Sequence, residues 1–409
     1  MREMIDVAII GSGPAGLSAA IALRKRGLRQ VVVLERDSEA GGVPRHCAHP
    51  PYGLREFGRI MTGPSYAQRL ADDARAIGVQ IRLLHSVTQL LPDGVLEIAT
   101  PNGRQRLQAK RVLIATGVRE TPRSARLLSG DRPLGVLNTG ALQAYIALQG
   151  LIPFRRPVIL GSELVSLSAI ATCRSHGIRP AAVIETNARP TARFPLTLLP
   201  RLLGIPVFLG CAVTAIHGTD RVEAVTLQST DGGTTRDIAC DGVLLTGRFL
   251  PEASLIRASH LTLDPATQGP AIDQFGRCSD PRYFAAGNIL RAVETAGWSF
   301  REGQRIAHCL AADLEGRLPS ASASLEIRAG DNLKLVLPQR LTSPSKALGK
   351  QTLELRVAQG VTGRLRLRHG DVTLYERPLT ALPERRILIP IGALDLANLT
   401  GTIVAEILT

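Results

Sequence analysis

The chain has 409 residues, 44% of them hydrophobic, and carries a formal net charge of +14; that length calls for two or three domains rather than one core. No apolar run reaches the roughly 18 residues of a membrane helix, and the first one, Val7 to Ile10, leads into a glycine loop rather than a signal-peptide cleavage site, so a cytoplasmic protein without a transmembrane segment is expected. Only 5 of the 49 basic residues are lysine, the arginines are scattered among acids, and aromatics are 3% of the chain, which excludes a base-stacking nucleic-acid surface.

Asp6 to Ile10 reads as a strand, followed by Gly11-Ser12-Gly13-Pro14-Ala15-Gly16. Leu17 to Arg26 reads as a helix ended by Gly27, and Gln30 to Leu34 as a second strand closed by Glu35, with Arg36 beside it. This is a βαβ unit of about 30 residues, the context that makes a glycine pattern a dinucleotide signal. Gly11 permits the tight turn, Gly13 lets backbone approach a pyrophosphate, and Gly16 lets helix and strand pack closely. The helix N-terminus offers free N–H groups to phosphate oxygens. Glu35 lies 22 residues after Gly13, where a carboxylate accepts from a ribose hydroxyl.

Arg111 to Ile114 reads as a strand breaking at Ala115-Thr116-Gly117. A second βαβ unit starts near residue 156. Its parts are a strand Pro157 to Leu160, the loop Gly161-Ser162-Glu163-Leu164-Val165-Ser166, a helix to about His176, and a strand Ala181 to Ile184 ending at Glu185. The layout repeats the first unit at a lag of about 150 residues, but Glu163 stands at the second glycine position and Ser166 at the third. A carboxylate there repels a pyrophosphate. NAD(P) binding by this unit is therefore left open, with Gly161 and Glu185 as the residues that would serve it.

Asp241 to Arg248 reads as a strand and turn. Arg282 to Asn288 reads as a strand into a polar turn, and Glu294 to Trp298 as the start of a helix running to about Leu314. Ser320 to Ser324 has the texture of a linker. Short alternating runs follow at Leu333–Leu337, Thr352–Val357, Arg364–Leu367, Val372–Tyr375, Arg386–Ile391 and Thr402–Leu408, the pattern of a small all-β domain suited to docking. The six cysteines, Cys47, Cys173, Cys211, Cys240, Cys278 and Cys309, form no CxxC pair and no metal-binding cluster. Free thiols in a reducing compartment and no metal site are expected.

The order of these parts resembles the pyridine nucleotide–disulfide oxidoreductase superfamily, which includes thioredoxin reductase, over about residues 1 to 318. Gly11, Gly13, Gly16 and Glu35 match its FAD fingerprint, and Ala115-Thr116-Gly117 matches its mid-domain motif. Gly287-Asn288 matches its Gly-Asp motif with Asn for Asp, and Thr295-Ala296 matches the pair that contacts the isoalloxazine. Gly41 to His49, then Gly53-Leu54, Phe57, Thr62-Gly63-Pro64 and Val293 to Trp298, look like one branch. It holds the FAD subunits of opine oxidase and hydrogen cyanide synthase, and the glycerol-3-phosphate dehydrogenase-associated flavoprotein.

The resemblance implies an α/β fold of two Rossmann-like domains with a small C-terminal β domain. The FAD-binding domain would span 1–122 and 248–318, the NAD(P)-binding-like domain 123–247, and the β domain 325–409. FAD would be held by Gly11, Gly13, Pro14, Ala15, Gly16, Glu35, Arg36, Gly42, Val43, Ala115, Thr116, Gly117, Gly287, Asn288, Thr295 and Ala296. The superfamily's redox-active cysteine pair is missing, and no cysteine follows Cys309 to hold the late iron–sulfur centre of opine-oxidase-type chains.

In this fold the segment after the second strand runs past the flavin. Either Cys47 or a neighbouring histidine lines the reactive side of the ring while His46 or His49 moves a proton, or Cys47 is buried and inert and the histidines bond backbone. The leading expectation is an FAD-dependent dehydrogenase that oxidises a small amine, amino acid or hydroxy acid and passes electrons to a partner subunit or other acceptor. An NAD(P)H-dependent flavin reductase is the alternative, and a non-catalytic flavin-bearing scaffold subunit the third.

Overall fold

The computed structural model describes residues 5–321, 324–342, 351–383, 385–396 and 399–409. Ser322 and Ala323 of the expected linker lie outside the described residues. The chain divides into two compact units, one of residues 1–42, 67–118 and 251–409 and the other of 43–66 and 119–250. Residues 43–66, expected in the first domain, thus belong to the second unit. The C-terminal sheets belong to the first.

The first unit is built on a parallel sheet in the order Gln80–Arg82, Val31–Leu34, Ile5–Ile10, Gly103–Ile114, with Tyr283–Ala285 on the far side of Gly103–Ile114. Val31–Leu34 is wholly buried and Ile5–Ile10 nearly so. Such unbroken apolar runs belong to strands covered on both faces. The N-terminal half of Gly103–Ile114 leaves this sheet to close an antiparallel meander with Val95–Thr100 and Ser86–Leu91. The Pro14–Lys25 helix packs closely on Ala296–Leu314. A methyl group added at Gly303 would lie 2.1 Å from the carbonyl oxygen of Ala15.

The second unit repeats the plan. Its parallel strands run Val207–Leu209, Ala182–Glu185, Pro157–Leu160, Gly242–Leu245, Val136–Asn138. A three-stranded meander, Cys211–His217, Ala224–Ser229, Thr235–Ala239, completes it. Within each unit a strand–loop–helix–strand stretch sits at the middle of the parallel sheet, so each glycine loop opens at the carboxyl edge, where ligands of such sheets bind.

All six expected C-terminal strands are present: Leu333–Leu337, Thr352–Val357, Val361–His369, Val372–Ala381, Ile387–Pro390 and Thr402–Leu408. Ser324–Ala329 and Arg340–Thr342 join them. They form a five-stranded and a three-stranded sheet over one apolar core that includes Ile327, Leu353, Leu365, Ile389 and Ile403.

Candidate functional site

The first glycine loop fits an adenine dinucleotide. Gly11 takes φ +102°, which only glycine adopts without strain. A methyl group on Gly16 would stand 2.0 Å from the Gly11 carbonyl oxygen, so helix and turn meet there backbone to backbone. Gly13 faces open space: a methyl group there would meet no heavy atom within 4 Å. Glu35 is buried, and its carboxylate accepts from Ser12 N at 2.9 Å, Ser12 Oγ at 2.5 Å and Asp37 N at 3.0 Å. It is held at the strand end where a ribose hydroxyl would come.

Several of the other residues expected to hold FAD pack near this loop. Gly42, at φ +65°, would bring a methyl group within 2.9 Å of Gly13 Cα. Ala115 is buried against Gly11, and Thr116 Oγ1 donates to the Glu252 carbonyl at 2.9 Å. Gly117 takes φ +77° and accepts from Glu252 N. Gly287 packs on Ala15, whose Cβ would lie 2.8 Å from a methyl group there. Thr295 caps the Ala296–Leu314 helix, which begins where it was expected. Arg36 and Val43 are exposed. Asn288 does something the sequence did not suggest. Its Oδ1 accepts from Glu294 N at 2.8 Å and its Nδ2 donates to the Glu294 carbonyl at 3.1 Å, closing the turn on itself.

The second glycine loop keeps the carboxylate and loses the cradle. Glu185 is buried and accepts from Ser162 Oγ and from Asn187 N at 2.9 Å, the arrangement of Glu35, Ser12 and Asp37 displaced by 150 residues. Glu163, however, turns its carboxylate back over the loop. A methyl group on Gly161 would lie 2.4 Å from Glu163 Oε2, and one on Gly247 2.2 Å from Oε1. Thr246 Oγ1 donates to Glu163 Oε2 at 3.0 Å, and Arg126 donates to the Thr246 and Gly247 carbonyls at 2.7 Å. Burial, together with the neighbouring Glu185, pushes the Glu163 carboxyl above the usual range, against the pull of Thr246 and Arg126. The residues of this loop do not fit a pyrophosphate, because the Glu163 carboxylate lies over Gly161 and the neighbouring Gly247.

The segment 43–66 forms a polar cluster within the second unit. Cys47 is buried, and its Sγ donates to Gln143 Oε1 at 3.2 Å. Gln143 Nε2 donates to Ser168 Oγ at 2.8 Å, and Ser168 Oγ also meets His49 Nε2. The Tyr52 ring packs at 5.8 Å from that of His49, and its hydroxyl bonds Cys47. Burial pushes the Cys47 thiol up, offset in part by the hydrogen bond from Tyr52. His46 ends the turn Val43–His46 and is half-buried.

Glu120 escaped the sequence reading. Its Oε2 accepts from Gly140 N at 2.7 Å at the start of the Thr139–Gln149 helix, while Oε1 is buried without a partner. Burial pushes this carboxyl up, offset in part by the Gly140 and Thr139 bonds. Its only sequence signal is an acid three residues after the Ala115-Thr116-Gly117 turn, which is too common to single out. All six cysteines are free, and among the described residues no group of three or more His, Cys, Asp or Glu is placed to hold a metal ion. No helix among them is long and apolar enough to cross a membrane.

The family model described as pyridine nucleotide-disulphide oxidoreductase matches residues 5–310. The chain is 23% identical over 359 residues to an opine oxidase subunit of Agrobacterium tumefaciens (strain Ach5), covering 80% of this chain and 67% of that one. It is 30% identical over 313 residues to the ferredoxin reductase component of chlorobenzene dioxygenase of Cupriavidus sp. (strain PS12), covering 73% and 69%. The chain spans 39%, 67% and 64% of the length of three opine oxidase subunits similar to it. Among solved structures, thioredoxin reductase of T. acidophilum superposes with a TM-score of 0.64 at 23% identity, covering 76% of this chain and 99% of that one.

Proposed function

We propose that this chain, which belongs to the pyridine nucleotide-disulphide oxidoreductase family and is an FAD-dependent oxidoreductase, is a dehydrogenase or dehydrogenase subunit that oxidises a small amine, amino acid or hydroxy acid. The observation that carries this reading is Glu163, whose carboxylate lies where the family's second dinucleotide would bring its phosphates. An oxidoreductase with that loop filled takes its electrons from a substrate other than NAD(P)H. The lack of a cysteine pair points the same way, since Cys47 has no thiol partner with which to reduce a disulfide.

Bound FAD supplies a two-electron acceptor for the substrate's hydride. Ser12 and Asp37 hold the Glu35 carboxylate for the ribose, and Gly13 leaves room for the pyrophosphate beside the N–H groups of the Pro14–Lys25 helix. A histidine of the 43–66 segment takes the substrate proton in this reading, and His49 is already ordered by Ser168. The electrons then pass to a partner protein or other acceptor.

A second reading, an NAD(P)H-dependent reductase, is favoured by the retained Glu185 and Ser162 pair. Anaerobic mixing separates the two. Bleaching of the flavin by an amine, amino acid or hydroxy acid, with none by NADH or NADPH, supports the dehydrogenase. Rapid bleaching by NADH or NADPH overturns it. Substituting His46, Cys47 and His49 by alanine and following flavin reduction in stopped flow then tests the proton route, and three unchanged rates would retire it.

A further inference from the structure

Six charged side chains meet where the C-terminal sheets face the Ala296–Leu314 helix. Arg291 is buried; its Nη1 donates to Glu302 at 2.9 and 3.1 Å, and its Nε and Nη2 meet Glu354 at 3.2 and 3.1 Å. Arg356 pairs with Glu294 and lies 3.4 Å from Glu354. Arg386 stands 3.8 Å from Glu294, with its guanidinium 3.4 Å from the centre of the Trp298 ring. Arg291, Glu294 and Glu302 come from the flavin-binding part and carry net −1. Glu354, Arg356 and Arg386 come from the C-terminal sheets and carry net +1. The two faces neutralise each other.

A brace that only joined two cores would be built more cheaply from leucine, because burying charge costs more desolvation than hydrophobic packing does. The inner ends of this network explain the charge. Glu302 Oε2 accepts from Gly287 N at 2.8 Å. Glu294 holds Asn288 through both of its backbone groups. The network therefore grips the segment Gly287–Ala296 near both ends, and Gly287 packs directly on Ala15 beside the first glycine loop.

We propose that the C-terminal sheets set the shape of the flavin-binding site, with Glu354 and Arg356 as positioning residues that hold Gly287–Ala296 against the first glycine loop. This rests on FAD binding at that loop and not on which substrate is oxidised. The β region is then a part of the cofactor site rather than only a docking module.

Glu354→Gln removes the central charge while keeping the side chain's size. It should weaken FAD binding roughly tenfold, a coupling of ordinary size between two sites, and change the visible circular dichroism of the bound flavin. Glu406→Gln is the matched control. Glu406 is also buried in the sandwich and is paired with Arg366 and Arg368, but it has no bond to the 287–296 segment. It should cost stability and leave FAD affinity and the flavin spectrum unchanged. Equal effects of the two variants on FAD binding, or none from Glu354→Gln, overturn the proposal.

The unsubstituted protein gives a second test that needs no variant to fold. Coupling is reciprocal, so adding FAD to apoprotein should slow amide exchange in Thr352–Val357 and leave the outer strand Val372–Ala381 as it was. No slowing in Thr352–Val357 would overturn the proposal as well.

Discussion

A methyl group on Gly13 meets nothing within 4 Å, while one on Gly16 meets the Gly11 carbonyl oxygen at 2.0 Å. Two alanine substitutions three residues apart should therefore fail in different ways. Gly13 has φ −72°, a value any residue adopts. Gly13→Ala should fold with the melting temperature of the apoprotein and purify without FAD, because the methyl group fills the phosphate approach. Gly16→Ala should cost about 1–3 kcal/mol by overpacking before any cofactor is considered. Flavin content and thermal melts separate them; a yellow, fully loaded Gly13→Ala would refute the placement of the phosphates.

The same logic runs in reverse at position 163. Removing the side chain in Glu163→Gly takes the carboxylate away from Gly161 and Gly247 and leaves Glu185 in place for a ribose. NADH binding, expected to be undetectable in the unsubstituted protein by nucleotide fluorescence, should appear in the variant with a dissociation constant below about 1 mM. Unchanged absence would mean that the loop has lost more than one glycine's worth of fit.

Glu120 and Glu163 also fix a pH dependence. Both carboxyls titrate higher in the fold than in the unfolded chain, chiefly through burial. Between the two values the native state binds more protons, so stability falls as pH rises through that window. Glu120→Gln and Glu163→Gln keep an acceptor but drop the charge. Each should raise the melting temperature at pH 8 and lose that advantage at about pH 4, near the ordinary carboxylate range. A gain that persists undiminished at acid pH would show that charge is not the cause.

Much at this scale is legible in the sequence. Both loops, the Glu35 and Glu185 strand ends and the start of the Ala296 helix follow from residue type and spacing. What is not legible is direction: which way the Glu163 carboxylate turns, and that Asn288 spends its amide on Glu294. The first depends on what stands across the fold, 83 residues away for Thr246, and the second on how the turn from residue 288 to 294 closes.

Among elements, the segment 43–66 shows how spacing alone misleads. It follows the second strand of the first unit, yet Cys47 and His49 bond to Gln143 and Ser168, on helices of the other unit. The alternation that sequence reading uses ends at the glycines of 41 and 42, so nothing local says which sheet the next residues join. The Ala296–Leu314 helix is the contrary case, since its caps and apolar stripe are local. Its Gly303 meets Ala15 of the facing helix. Alanine there gains about 1 kcal/mol of helix propensity but loses about 1–3 kcal/mol to the clash with the Ala15 carbonyl. Gly303→Ala should lower the denaturant midpoint with an unchanged slope, and a rise in midpoint would mean the two helices can part at little cost.

At the scale of the whole molecule, the C-terminal sheets were expected as an appended domain behind a linker. The strand Leu333–Leu337 contradicts that separation. Leu335 and Leu337 point into the core of the flavin-binding sheet with Ile272, Tyr283 and Leu290, while Val336 between them points into the sandwich core with Leu353 and Ile389. A period-two strand thus has one face in each core. Gln339 and Gln274 tie the same junction through Ile272 N at 3.0 Å and Thr342 O at 2.8 Å. Cores that share a strand cannot melt independently, since losing either one exposes the apolar face of the other. Denaturant should therefore release the flavin and open the amides of Val361–His369 in one transition. Leu337→Ala, which empties about 2–5 kcal/mol of packing from the flavin-side core, should shift both signals by the same amount. Two separated midpoints, or a flavin signal that moves while the Val361–His369 amides stay protected, would mean that the sandwich stands on its own and that the charged junction, not the shared strand, is what joins it to the flavin site.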